Sequence, residues 1–322
     1  MKVTEITGKY GIRKSFKLRA YPLQDSPIES VPDVIETQKN QPVTSDLTEL
    51  ASSVDSLPTG VIPQFSDAIA VIFGIEEYLS APSAVFAARD ATIFYEYAKS
   101  VLGMSEQNIY LATNELANRA TFKEVFGEAG WLSRRVKPEI TEIFIFFSGH
   151  GVPTTDNSAY LVLHDVNPNN AQTTGIALTQ IYKSLHQLRA RHVTIFIDAC
   201  FSGVARFVNS DADLPVLLAD SQPTDALVEN ELEYKNFTVM TASTGKQVSL
   251  GYPDQRHGLF TFYLLMGLKG EADANSNRAV TVNELMVYLK SQIPVKASDL
   301  FDQQQTPTVK TNFPERVLVR FE

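Results

Sequence analysis

Cys200 is the only cysteine among the 322 residues, and His150 stands fifty positions ahead of it. Each closes the same kind of phrase. Ile143 to Phe147 is an apolar run of strand length that ends in Ser148-Gly149-His150-Gly151, and Val193 to Ile197 is another that ends in Asp198-Ala199-Cys200-Phe201-Ser202-Gly203. A thiol with an ordinary pKa of about 8.5 is only partly ionised at neutral pH, so it attacks a carbonyl well only when a nearby imidazole takes its proton. The oxyanion that forms needs aimed donors, for which the backbone N–H groups of Gly151 and of Cys200 are candidates. A glycine after the histidine also lets a substrate come close to the backbone. The pattern predicts nucleophilic catalysis by Cys200 with His150 as its base.

Two reactive groups at two strand ends need a scaffold that brings those ends together. Strands are predicted at Ala68 to Ile75, Asn108 to Thr113, Ile143 to Phe147, Val193 to Ile197, Phe237 to Thr241 and Arg316 to Phe321. Helices are predicted at about Ser83 to Leu102, closed by Gly103, and at Ala120 to Ser133, Leu178 to Ala190, Gly258 to Lys269 and Val282 to Ile293. Strands alternating with helices imply right-handed crossovers and a mostly parallel sheet covered on both faces, an α/β fold of three layers. In such sheets ligands gather beyond the carboxyl ends of the strands, where both reactive residues fall.

Composition fits an ordinary soluble enzyme, with 44% hydrophobic and 20% charged residues. A net charge of −9 argues against nucleic acid as a partner. No apolar run is long enough to span a membrane. The opening Met1-Lys2-Val3-Thr4-Glu5 lacks a charged-then-apolar signal region. One cysteine permits no internal disulfide, so a reducing, cytoplasmic setting is expected. Residues 1–66 read as an extension or pro-segment, with a basic opening followed by a stretch rich in Pro, Ser and Thr and little core of its own. Residues 67–322 read as the catalytic domain.

The box around Cys200, with its histidine about fifty residues upstream, resembles that of the caspase-like cysteine peptidases. Within them it is most similar to the metacaspases and prokaryotic orthocaspases, because Asp198 stands where caspases carry glutamine. The resemblance implies a caspase-like fold and a pocket for the residue before the scissile bond. In the metacaspase branch that pocket is built from an aspartate before the cysteine, a serine before the histidine and an aspartate at the first helix. Asp198, Ser148 and Asp90 match these positions. Two carboxylates in a partly desolvated pocket repel unless a cation sits between them, which favours an Arg or Lys side chain of a protein substrate. The expected activity is cleavage of peptide bonds after basic residues through an acyl-enzyme. The alternatives are an aspartate-specific protease and a non-catalytic, peptide-binding adaptor. The same branch implies a monomer.

Residues 207–234 form an acidic stretch with no Lys or Arg, placed where caspases are cut into two subunits. Basic specificity leaves its borders, Arg206 and Lys235, for self-cleavage, and favours the basic extension. Aspartate specificity would instead make the stretch itself a substrate. Ser243, at the end of a later strand, is a candidate substrate contact. Asp273, Asn275, Asn277 and Glu284 fall at positions 1, 3, 5 and 12 of an EF-hand-like loop, which makes Ca2+ a candidate ligand. Arg278 replaces the glycine that such a loop needs at its sixth position. His164, His186 and His192 lack zinc-ligand spacing, and His257 reads as a surface or cap residue before a helix.

Overall fold

The computed structural model describes residues 52–153, 158–204, 206, 217, 234–245 and 247–322. Its central sheet has six strands: β1 (Ile69–Gly74), β2 (Ile109–Thr113), β3 (Glu142–Ser148), β4 (His192–Asp198), β5 (Phe237–Thr241) and β6 (Thr308–Thr311), in the order β6-β5-β4-β3-β1-β2. The first five are parallel, and β6 closes one edge antiparallel to β5. Strand residues alternate between two cores. Ala70, Ile72, Phe144, Phe146, Phe196 and Met240 face one side with the buried residues of α1 (Ala87–Ser100), α4 (Leu259–Met266) and α5 (Val282–Phe301). Ile69, Val71, Ile143, Ile145, Val193 and Ile195 face the other, with those of α2 (Arg119–Phe126) and α3 (Leu178–Gln187). The three layers expected from the alternation of strands and helices are therefore present.

Several boundaries differ from expectation for identifiable reasons. The helix α2 stops at Phe126 because Gly127 takes an extended conformation and its N–H closes on Lys123 O. The helix α5, expected to end at Ile293, continues through Pro294 to Phe301, where Ala297 and Phe301 are buried. That burial offsets the hydrogen bond a mid-helix proline removes. The edge strand β6 was not predicted, since its four residues are only half buried and carry no apolar run. The final strand exists as Val317–Phe321 but pairs with Val61–Ile62 and Ala279–Thr281 in a separate small sheet.

The described part of the extension, residues 52–66, is not an appendage. Val54 is fully buried, and its carbonyl accepts from Tyr97 Oη at 2.9 Å. The Phe65 ring packs edge-on against Phe144, with centroids 4.9 Å apart. These contacts join residues 52–66 to the compact unit that holds the sheet. The basic opening and most of the 207–234 stretch lie outside the described residues. Among the described residues no helix is long and apolar enough to cross a membrane.

Candidate active site

The strands β3 and β4 pair in parallel with Ser148 opposite Asp198, so His150 and Cys200 each lie two residues past the last pair of neighbouring strands. Adjacent strands run about 4.8 Å apart, which places the two turns side by side. Gly149 N–H donates to Asp198 O at 3.2 Å and ties them together. Gly149 has a φ of 156°, and a Cβ there would fall 2.6 Å from Tyr78 Oη. A Cβ on Gly151 would fall 2.3 Å from the Phe201 ring. Both glycines around the histidine are therefore demanded by close contacts.

His150 is buried and held on two sides. Its backbone N–H donates to Tyr78 Oη at 2.7 Å, and the two rings stack with centroids 4.7 Å apart. Nε2 lies 2.8 Å from Pro82 O. A carbonyl only accepts, so Nε2 carries the proton and Nδ1 is the basic nitrogen. Nδ1 is buried and has no hydrogen-bond partner among the described residues. Burial lowers the His150 pKa to about 4, with the charge of Arg206 adding to the effect against the Pro82 hydrogen bond. Burial raises that of Cys200, whose Sγ donates to Val204 O at 2.9 Å. Burial therefore favours the uncharged form of each group.

Asp90, Ser148 and Asp198, separated by up to 108 residues in the sequence, converge in one fully buried pocket. The helix α1 presents Asp90 from its first turn, and Ser148 Oγ donates to Asp90 Oδ2 at 2.8 Å. Asp198 Oδ2 accepts from the Thr261 N–H at 3.1 Å and from Thr261 Oγ1 at 2.6 Å, and Oδ1 accepts from Ser249 Oγ at 2.5 Å. Between the two carboxylates lies the guanidinium of Arg206. Its Nη1 is 3.1 Å from Asp90 Oδ2, and its Nη2 is 2.7 Å from Asp198 Oδ1. Burial pushes the Asp198 carboxyl up against the pull of Arg206. For Asp90 burial acts the same way but is outweighed by the hydrogen bond from His257 and by Arg206, which hold it below the usual carboxylate range.

Several residues of this pocket carry no signal in the sequence, Ser249 and Thr261 among them. Arg206 was legible only as the border of an acidic stretch. His257 is not a surface residue: it is wholly buried, with Nδ1 2.9 Å from Asp90 Oδ1 and Nε2 3.2 Å from Asp55 Oδ1. Asp55, from the supposed extension, also receives Arg89 Nη2 at 2.5 Å. Gly258 donates its N–H to Asp90 Oδ1 at 3.1 Å and to Oδ2 at 3.2 Å, and a Cβ there would fall 2.2 Å from Asp198 Oδ2. A lone histidine followed by a glycine has no periodicity that would reveal such a place.

Two expected features lie apart from this pocket. Ser243 is buried in its own turn, donating to Gln247 O at 3.3 Å. In the 273–284 loop, Asp273 accepts from the N–H groups of Asn277 and Arg278, Asn275 Nδ2 donates to Glu284 Oε1, and Glu284 completes a capping box with Thr281. These oxygens serve the turn and the start of α5. Among the described residues no group of three or more His, Cys, Asp or Glu side chains could hold a metal ion.

Known proteins place this geometry in context. No curated protein is significantly similar to the chain in sequence. Protein GSU0716 from Geobacter sulfurreducens is similar in structure at 15% identity and a TM-score of 0.49, covering 78% of this chain and 98% of its own. Caspase-1 from Spodoptera frugiperda is similar at 12% identity and a TM-score of 0.49, covering 79% and 90% respectively. The model of the caspase domain matches residues 67–318, a range that contains all six strands of the central sheet. With both motif turns inside that match, the chain belongs to the family of caspase-domain peptidases.

Proposed function

We propose that this protein is a cysteine endopeptidase of the metacaspase or orthocaspase type that cleaves after arginine or lysine. The observation that carries the reading is the buried convergence of Asp90 and Asp198 on one guanidinium, beside the turn that bears Cys200. A pocket for an aspartate side chain would need cationic N–H groups facing an open space. Here both terminal nitrogens of Arg206 are engaged by Asp90, Asp198 and Ser148. The separated carboxylates match a planar guanidinium better than a point-charge ammonium, so arginine is preferred.

In the proposed reaction His150 Nδ1 takes the thiol proton as Cys200 Sγ bonds to the substrate carbonyl carbon. The Gly151 and Cys200 amides receive the oxyanion. His150 then passes the proton to the leaving nitrogen, the C–N bond breaks, and a thioester remains. Water attacks the thioester, one of its protons goes to His150 and on to the departing sulfur, the C–S bond breaks, and the carboxylic acid product leaves and gives its remaining proton to solvent. His150 is neutral above a pH of about 4 and so has a lone pair free to accept the proton.

Fluorogenic peptides ending in Arg, Lys or Asp test the assignment, with Cys200→Ala as control. The expected order is Arg above Lys with no turnover of Asp, and none of any peptide by the control. Faster turnover of the Asp peptide would overturn the basic specificity, and turnover by Cys200→Ala would overturn the nucleophile. Binding of the Arg peptide with no cleavage at any enzyme concentration would favour the adaptor.

A further inference from the structure

We propose that Arg206 is the resident ligand of its own specificity pocket, holding the place of a substrate arginine, so that substrate enters only by exchange with it. The inference rests on the basic-pocket reading above and adds to it the state in which the chain is made.

Four observations carry it. Arg206 is 2% exposed, and its terminal nitrogens make every contact a substrate guanidinium would want: Asp90 Oδ2 and Val85 O for Nη1, and Asp198 Oδ1, Ser148 Oγ and Asp198 O for Nη2. Its Nε, by contrast, is buried with no hydrogen-bond partner among the described residues. The side chain is thus held by its tip alone. Next, Arg206 lies only six residues beyond Cys200, and Gly203 at φ 81° lets the chain fold back after the nucleophile. Finally, Cys200 and His150 are themselves shut from solvent, 1% and 0% exposed.

The backbone of this segment is not seated as a substrate. The carbonyl at the sulfur is that of Val204, two residues ahead of Arg206, and the thiol approaches its oxygen as a hydrogen-bond donor rather than its carbon as a nucleophile. The arginine side chain fills the pocket while the wrong carbonyl meets the sulfur. In this pose the segment occupies the site without being cut, and a competing substrate arginine must displace it. If the pocket is open for one molecule in ten or fewer, apparent reactivity toward an arginine ligand falls by about tenfold or more.

The test uses the full chain, wild type against Arg206→Ala and Arg206→Lys. Cys200 is labelled with a peptidyl-arginine chloromethyl ketone and, separately, with iodoacetamide, and both are followed by intact mass. The ketone is expected to label Arg206→Ala about tenfold or more faster than wild type, with Arg206→Lys between them. Agmatine, a free alkylguanidinium, should slow that labelling and raise the melting temperature of Arg206→Ala, leaving wild type unmoved. Equal ketone labelling of folded wild type and Arg206→Ala overturns the proposal and leaves the basic pocket standing. Labelling of Arg206→Ala by iodoacetamide but not by the ketone, with no response to agmatine, overturns the basic pocket itself. If neither variant folds even with agmatine, Arg206 is a structural counter-ion and the proposal fails.

Discussion

Gly258→Ala asks of the pocket the smallest question that can be put, one methyl group. The backbone at Gly258 has φ −61° and ψ 141°, open to any residue, so the substitution brings no dihedral strain. Its Cβ would lie 2.2 Å from Asp198 Oδ2, 2.9 Å from Arg206 Nη1 and 3.0 Å from Asp90 Oδ2. Normal contacts are about 3.5 Å or more. Neither carboxylate can swing away, since Thr261 holds one and His257 and Ser148 hold the other. The guanidinium must give way. Overpacking costs about 1–3 kcal/mol, rising to about 3–5 kcal/mol if the cation is expelled and the carboxylates are left unpaired. Urea unfolding reads the loss in the whole chain. An arginine substrate meets the same methyl, so in an Arg206→Ala background, where no resident guanidinium competes for the pocket, kcat/KM falls by about 5- to 150-fold for the first range, chiefly through KM. Iodoacetamide should still alkylate Cys200 at least as fast as in wild type. An unchanged KM for the arginine peptide, or a stability within about 0.5 kcal/mol of wild type, would refute this account of the pocket.

Two further outcomes follow from the groups around the site. His150 is buried neutral with its pKa near 4, so between about pH 6.5 and 4 the unfolded chain takes a proton that the folded chain refuses, and stability falls as pH falls through that window by about 3 kcal/mol. His150→Gln should remove that share of the loss between pH 7 and 4, and an unaltered pH slope in urea unfolding would count against the burial of a neutral ring. Asp55→Asn weakens the hold on His257 and Arg89, at about 1.5–3 kcal/mol for hydrogen bonds to charged groups. Because His257 positions Asp90, KM for an arginine peptide should rise several-fold with kcat little changed; a fall in kcat alone would show that Asp55 acts elsewhere.

The positions of His150 and Cys200 at two strand ends were legible because their signals are local. An apolar run followed by a turn fixes both the end of a strand and the place of the side chain beyond it, so His150 and Cys200 could be assigned to neighbouring sites before any contact was known. The resemblance to the caspase-like peptidases added Asp90, Ser148 and Asp198. What escaped was set by contacts between distant parts of the chain. Pro294 reads as a helix stop, but the burial of Ala297 and Phe301 carries α5 past it. Thr308–Thr311 has no strand pattern and is ordered by its ladder to β5, where Thr241 and Thr308 hydroxyls meet at 2.6 Å.

The sequence by itself determined the layered α/β frame and the thiol and imidazole, since hydrophobic periodicity and turn chemistry act over a few residues. Only the tertiary structure decided that His257 and Asp55 brace the pocket, that Gly258 must lack a side chain, and that Arg206 fills the space between two carboxylates. The physical reason is desolvation. A charge that would be a solvated border residue in an open loop becomes, once shut from water, the group on which the buried acids depend, and no local pattern records which side chains will be enclosed together.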